Sequence, residues 1–176
     1  MVMRNNSLKF LLLFVWGLLL AGSALAQGKM PEDKSKRPSP PATVTGSNFT
    51  IEYSRPSLKG RKAFGELEPY GKVWRTGANE ATTFEAKKDL KINGQALPAG
   101  TYALFTIPGE QEWTIIFNKT AKQWGAFKYD EKQDALRVKV KPTKTAAPVE
   151  QFTIAADKAG TVTMAWDNTQ AAFTVK

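Results

Sequence analysis

The segment Trp74-Arg75-Thr76-Gly77-Ala78-Asn79-Glu80 sets a guanidinium, a glycine, an amide and a carboxylate side by side. An arginine offers a rigid fork of donors suited to carboxylate, phosphate or sulfate. Gly77 admits backbone conformations barred to other residues, so main-chain N–H groups there can converge on an anion. Asn79 and Glu80 add the polar groups that sugar-binding sites use. Arg55 and Arg61 lie upstream in the same stretch, which makes Arg55, Arg61, Trp74, Arg75, Asn79 and Glu80 the candidate ligand-binding residues. A structural role competes with this one. Arg75 or Arg55 paired with Glu80 would pin a loop whose backbone groups also need partners.

Other chemistries are narrowed by what the chain lacks. It has no histidine and no cysteine. Imidazole-based nucleophile pairs, imidazole or thiolate metal sites and iron–sulfur ligation are therefore excluded. No catalytic residue, metal or cofactor is expected. A hydrolase would need two carboxylates about 5–10 Å apart across the cleaved bond. Glu66, Glu68, Glu80, Glu85 and Asp130 are the acids available, and nothing in their spacing places two together. No EF-hand or similarly spaced acidic motif appears. Trp124, Phe127 and Tyr129 sit around Gly125 and could stack on sugar rings or cover the edge of a core. Arg137, Lys139 and Lys141 form a basic ladder, suited to an anionic polymer or to keeping an edge strand from pairing.

The elements that position these residues follow a period of two. Phe49, Ile51 and Tyr53 alternate with polar residues. Leu90 and Ile92 run into Asn93-Gly94, a strong two-residue hairpin signal. Thr101–Ile107, Trp113–Asn118 and Leu136–Val140 follow, and Pro142 ends the last of these. Trp113 and Trp166 are in phase with Ile115, Phe117, Val162 and Met164, which marks them as core. Gly160 and Asp167-Asn168 read as turns between the final strands. About eight short strands predict an all-β antiparallel two-sheet sandwich, with a partly closed barrel as the alternative. Residues 54–81 break the period and carry six glycines or prolines at 56, 60, 65, 69, 71 and 77. Long irregular connections of this kind are often functional.

The first 26 residues read as a secretory signal peptide. Arg4 and Lys9 precede the apolar run Phe10–Leu20, and Ala24-Leu25-Ala26 gives the cleavage pattern. Eleven apolar residues are too few for a permanent span, which takes about 20. Residues 27–46 are expected to be a disordered Pro/Lys-rich spacer, and 47–176 a single β-sandwich domain. The formal charge is +9, two units of which come from Arg4 and Lys9. The lysines are scattered rather than striped, so no nucleic-acid partner is expected.

The stretches SRPSLKGRKAFGELEPYGKVWRTGANEAT, INGQALPAGTYALFTIPGEQEWTIIFN and QWGAFKYD closely resemble a bacterial family known only as a domain of unknown function, DUF number twenty-nine eleven. The resemblance covers roughly residues 47–175. It implies an exported all-β protein and supplies no catalytic residues. The expectation is an exported, non-catalytic binding or envelope-accessory domain, periplasmic or secreted, for a glycan or small anionic ligand. The alternative is a carboxylate-dependent hydrolase acting on envelope polysaccharide. Beyond the signal, no stretch is long and apolar enough to span a membrane.

Overall fold

Side-chain alternation builds the central strands. In Phe49–Ser54 the apolar Phe49, Ile51 and Tyr53 are buried and Glu52 between them is exposed. One face of the strand therefore meets a core and the other does not. The structure is a computed structural model that describes residue 33 and residues 36–176. The signal peptide expected over 1–26 and the first part of the spacer lie outside the described residues.

Ten strands occur among the described residues: β1 (Pro41–Thr45), β2 (Phe49–Ser54), β3 (Thr82–Ala86), β4 (Leu90–Ile92), β5 (Gln95–Leu97), β6 (Gly100–Ile107), β7 (Trp113–Asn118), β8 (Asp134–Val140), β9 (Thr143–Ala156) and β10 (Thr161–Thr174). The fold is all-β, as expected, and no sheet closes into a barrel. Six strands form an antiparallel sheet in the order β1-β2-β3-β6-β7-β8. The long hairpin β9–β10 packs across its inner face, and β4–β5 is a small separate hairpin. Asn93 and Gly94 have φ of 48° and 83°. Both are positive, as the tight hairpin turn requires. Among the described residues no helix is long and apolar enough to cross a membrane.

Two sequence expectations change. Pro41–Thr45, assigned to the spacer, is the edge strand β1, in register with β2 from Pro41↔Ser54 to Thr45↔Thr50. Main-chain hydrogen bonds build this strand, and only Ala42 and Val44 pack on the core. Its composition therefore does not announce it. Asp167-Asn168, read as a turn, lies inside β10, where the pairing with β9 shifts register on either side of Asp167. Asp167 has φ of 56°, a conformation that aspartate tolerates, and its Oδ2 accepts a hydrogen bond from Ala63 N at 3.1 Å. The bulge thus ties the hairpin to the irregular segment 54–81.

That segment closes the space between the two layers. Ser57 bridges Gln151, Leu58 N donates to Glu150 O at 3.0 Å, and Phe152 N donates to Pro56 O at 2.9 Å. Further along, Trp74 and Thr106 exchange backbone hydrogen bonds of 2.7 and 3.0 Å. Phe64 and Trp74 carry the segment into the core. Phe64 meets Trp113 edge-on at 4.7 Å, and Trp74 stacks on Trp166 at 5.8 Å. Such aromatic pairs add about 0.5–1.5 kcal/mol each beyond the area they bury. A smaller cluster sits on the opposite face of the main sheet. There Phe105 and Ile116 are covered by Ala126 and Tyr129 of the 119–130 connection.

Candidate functional site

Five of the six candidate residues from the irregular segment spend polar atoms on nearby groups of the chain itself. Arg55 donates from Nε to Phe152 O at 3.1 Å and from Nη2 to Thr153 Oγ1 at 2.8 Å, tying β2 to β9. Arg61 curls back onto Leu58 O at 2.9 Å and Ser57 O at 3.3 Å. The Trp74 ring is 2% exposed and its Nε1 donates to Gly77 O at 3.0 Å. Arg75 donates to Asn79 O at 3.0 Å, and Asn79 donates to Ser39 O at 3.1 Å. Gly77 has φ of 153°, and a Cβ there would lie 2.7 Å from Ser54 O. Its neighbour Ala78 donates its N–H to that same carbonyl at 3.2 Å. The glycine serves a close backbone crossing.

Glu80 is placed differently. It bridges Trp124 through the backbone, and both of its carboxylate oxygens lie 2.8 Å from Arg37 Nη1. The arginine expected to pair with it was Arg55 or Arg75. The arginine found there is Arg37, from the tail before β1. Glu80 also lines a groove of about 650 Å³ on the face of the main sheet turned away from β9 and β10.

The groove follows from strand alternation and one connection. Thr43 of β1, Glu52 of β2 and Thr83 of β3 stand in register across three neighbouring strands. All three point away from the core and form part of the groove wall. The 119–130 connection supplies the other side through Lys122, Gln123 and Trp124. Trp124 is 45% exposed, unlike the buried tryptophans 74, 113 and 166. Gln123 donates from Nε2 to Thr120 O at 2.8 Å, while its Oε1 is buried without a hydrogen-bond partner among the described residues. A buried acceptor left unpaired is costly, by about 1–3 kcal/mol.

Of the other expected stacking residues, Phe127 is 82% exposed, outside the groove wall. Tyr129 packs edge-on against Phe105 at 5.1 Å. Its hydroxyl donates to Asp134 Oδ2 at 2.7 Å, and its pKa is pushed up to about 12 by burial first and by that hydrogen bond second. The basic ladder is largely matched. Arg137 pairs with Asp134 at 2.6 Å and Lys139 with Glu112 at 2.7 Å. Burial raises the Glu68 carboxyl to about 7 against the opposing pull of Arg75. Glu68 lies away from the groove, and among the described residues no group of histidine, cysteine, aspartate or glutamate side chains could hold a metal ion.

Sequence reasoning missed Thr43, Glu52, Thr83, Lys122 and Gln123. Glu52 was visible as the outward residue of an alternating strand. That it faces the 119–130 connection depends on a strand order the local pattern does not encode.

A family model described as "Protein of unknown function (DUF2911)" matches residues 35–175. The chain belongs to that family. The match begins before β1, in agreement with a folded domain that includes Pro41–Thr45. Neither a curated protein nor a solved structure matches the chain.

Proposed function

We propose that this member of the family is an exported, non-catalytic binding domain that holds a polar, hydroxyl-rich ligand, a glycan unit, in the groove between β1–β3 and the 119–130 connection. The open groove itself, walled by outward polar side chains of β1–β3 beside a half-exposed tryptophan, carries this reading. A cavity of about 650 Å³ falls in the size range of small-molecule sites. The hydroxyls of Thr43 and Thr83 with the carboxylate of Glu52 offer sugar hydroxyls both donors and acceptors. Trp124 offers an apolar face for the ring. Export is inferred from the basic start, the Phe10–Leu20 run and Ala24-Leu25-Ala26.

Binding is favoured over hydrolysis by the state of Glu80. A carboxylate held through both oxygens by a guanidinium is poorly placed to protonate a leaving group. The test is calorimetric titration of the purified protein with a panel of neutral and charged oligosaccharides, with tryptophan fluorescence in parallel. At least one oligosaccharide should bind, and Trp124→Ala should weaken it about tenfold or more with an unchanged unfolding midpoint. If no member of the panel binds, the glycan reading is wrong.

A further inference from the structure

We propose that the outward side of the 119–130 connection docks on an anionic lipid bilayer, with Phe127 and Trp124 entering the interface and the surrounding lysines meeting the headgroups. This goes beyond the ligand of the groove and takes from the export reading only the presence of a bilayer. It starts from a ring in an unusual place. Phe127 is 82% exposed, whereas every other described phenylalanine is at most 9% exposed. The ring is not carried on a loose arm. It lies over Gly125, which has φ of 64° and where a Cβ would stand 2.9 Å from Phe127 Cε2 and 3.2 Å from Arg75 Nη1. Backbone bonds hold the connection on both sides of Trp124. Ala81 N donates to Gln123 O at 3.0 Å, and Gly125 N donates to Asn79 O at 3.2 Å. Ala126 and Tyr129 pack inward on Phe105 and Ile116, which leaves Trp124 and Phe127 turned outward.

The charge around these rings points to the partner. Residues 119–132 carry Lys119, Lys122, Lys128 and Lys132 against Asp130 and Glu131. All four lysines are exposed and make no ion pair among the described residues. Both acids are engaged, since Asp130 Oδ1 accepts from Lys132 N at 3.0 Å and Glu131 lies 3.2 Å from Arg137. Glu52 shares the groove with Lys122, so the other lysines keep their charge for a partner. Aromatic rings among lysines suit the boundary of a bilayer, where the rings bury and the ammonium groups stay with the phosphates. A second copy of the chain would set lysine against lysine, which disfavours self-pairing through this face. The path of the chain agrees. Arg37 lies eleven positions after Ala26, the inferred cleavage point, and its guanidinium meets Glu80. Glu80 bridges Trp124 through the backbone. The leader is therefore joined to the fold beside this connection, through a tether that reaches at most about 40 Å.

The experiment sediments the purified protein without its leader, residues 27–176, with vesicles of phosphatidylcholine alone or mixed equally with phosphatidylglycerol. It is run at about 50 and about 500 mM salt. The anionic vesicles should bind the protein at low salt, and binding should weaken at high salt and on phosphatidylcholine alone. Phe127→Ser should weaken it about tenfold with an unchanged unfolding midpoint, because the ring is exposed. Lys128→Gln should weaken it about fivefold. Lys158→Gln, in the turn between β9 and β10, removes the same charge elsewhere and should change little. No binding to anionic vesicles would overturn the inference. So would equal losses for Lys128→Gln and Lys158→Gln, or wild-type binding by Phe127→Ser, because net charge alone would then explain adhesion. A soluble anionic polysaccharide bound as tightly, with the same loss at Phe127, would replace the bilayer as partner. A dimer in analytical ultracentrifugation that Phe127→Ser dissolves would assign the face to a second copy. The oligosaccharide titrations are read without lipid, so the glycan reading stands or falls separately.

Discussion

Arg55 does not take the role its position suggested. Arg55 looked like a ligand donor because it sits in a glycine- and proline-rich stretch, yet its guanidinium reaches two acceptors on β9. Arg55→Ala should lower stability by about 1–3 kcal/mol in urea denaturation and leave ligand affinity unchanged. Glu68 gives a second expectation, in pH dependence. Its carboxyl titrates at about 7 in the folded protein against the ordinary 4.5. Between those values the folded protein keeps a proton that the unfolded chain has released. Glu68 therefore makes stability fall as pH rises through that window, and its penalty is complete above pH 7. Glu68→Gln should lack this contribution, so its urea midpoint should gain on the wild type as pH increases. Parallel midpoints for the two proteins would contradict the raised pKa. Trp113 and Trp166 were legible as core because their neighbours share their phase. Trp74 was not, because its segment has no phase to share. The destination of an arginine's donors depends on residues far away in the chain and leaves no local trace.

Most strands with one buried face were legible, although β3, with Phe84 and Ala86 buried, was not read from the sequence. β2, β6, β7 and β8 follow from alternation, and the β4–β5 turn follows from Asn93-Gly94. β1 was not legible, since backbone pairing to β2 holds it with little apolar burial. β9 was legible only in its second half, where Phe152 and Ile154 enter the core. Its first half is largely exposed and does not alternate between apolar and polar residues. The irregular segment 54–81 is an element in its own right, fixed by backbone bridges to β9 and β6 rather than by a period. Gly77 is where it crosses β2 most closely. Gly77→Ala would press a methyl against Ser54 O at a φ of 153° that L-residues rarely adopt. A loss of about 1–3 kcal/mol or more is expected from calorimetry or urea titration. A stability within a few tenths of the wild type would show that the crossing can relax.

For the molecule as a whole, two layers share one hydrophobic core that holds two groups of aromatic rings. Phe84 and Phe117 from the main sheet meet Phe173 from the long hairpin in one, and Phe64 and Trp74 from the irregular segment meet Phe152 and Trp166 from the hairpin in the other. No disulfide assists, as the chain has no cysteine. Removing one large ring should therefore be felt everywhere at once. Trp166→Ala should cost about 3–5 kcal/mol, against the roughly 5–15 kcal/mol that holds a domain folded. Far-ultraviolet circular dichroism and tryptophan fluorescence should still report a single coincident transition. Separate transitions would mean that hairpin and sheet unfold independently.

The placement of β1 also gives the protein a direction in which it is mechanically weak. A pull on the chain ahead of Pro41 would first load the Arg37–Glu80 contact. It would then load the β1–β2 pairs in succession, from Pro41↔Ser54 toward Thr45↔Thr50. Bonds taken in succession part like a zip, each bearing the whole force in its turn. A pull on the far end of the chain is opposed instead by Val175 and Lys176, which bond to Gly160 and Lys91. Tension from the amino-terminal side would peel away one wall of the groove while the aromatic interior stayed closed.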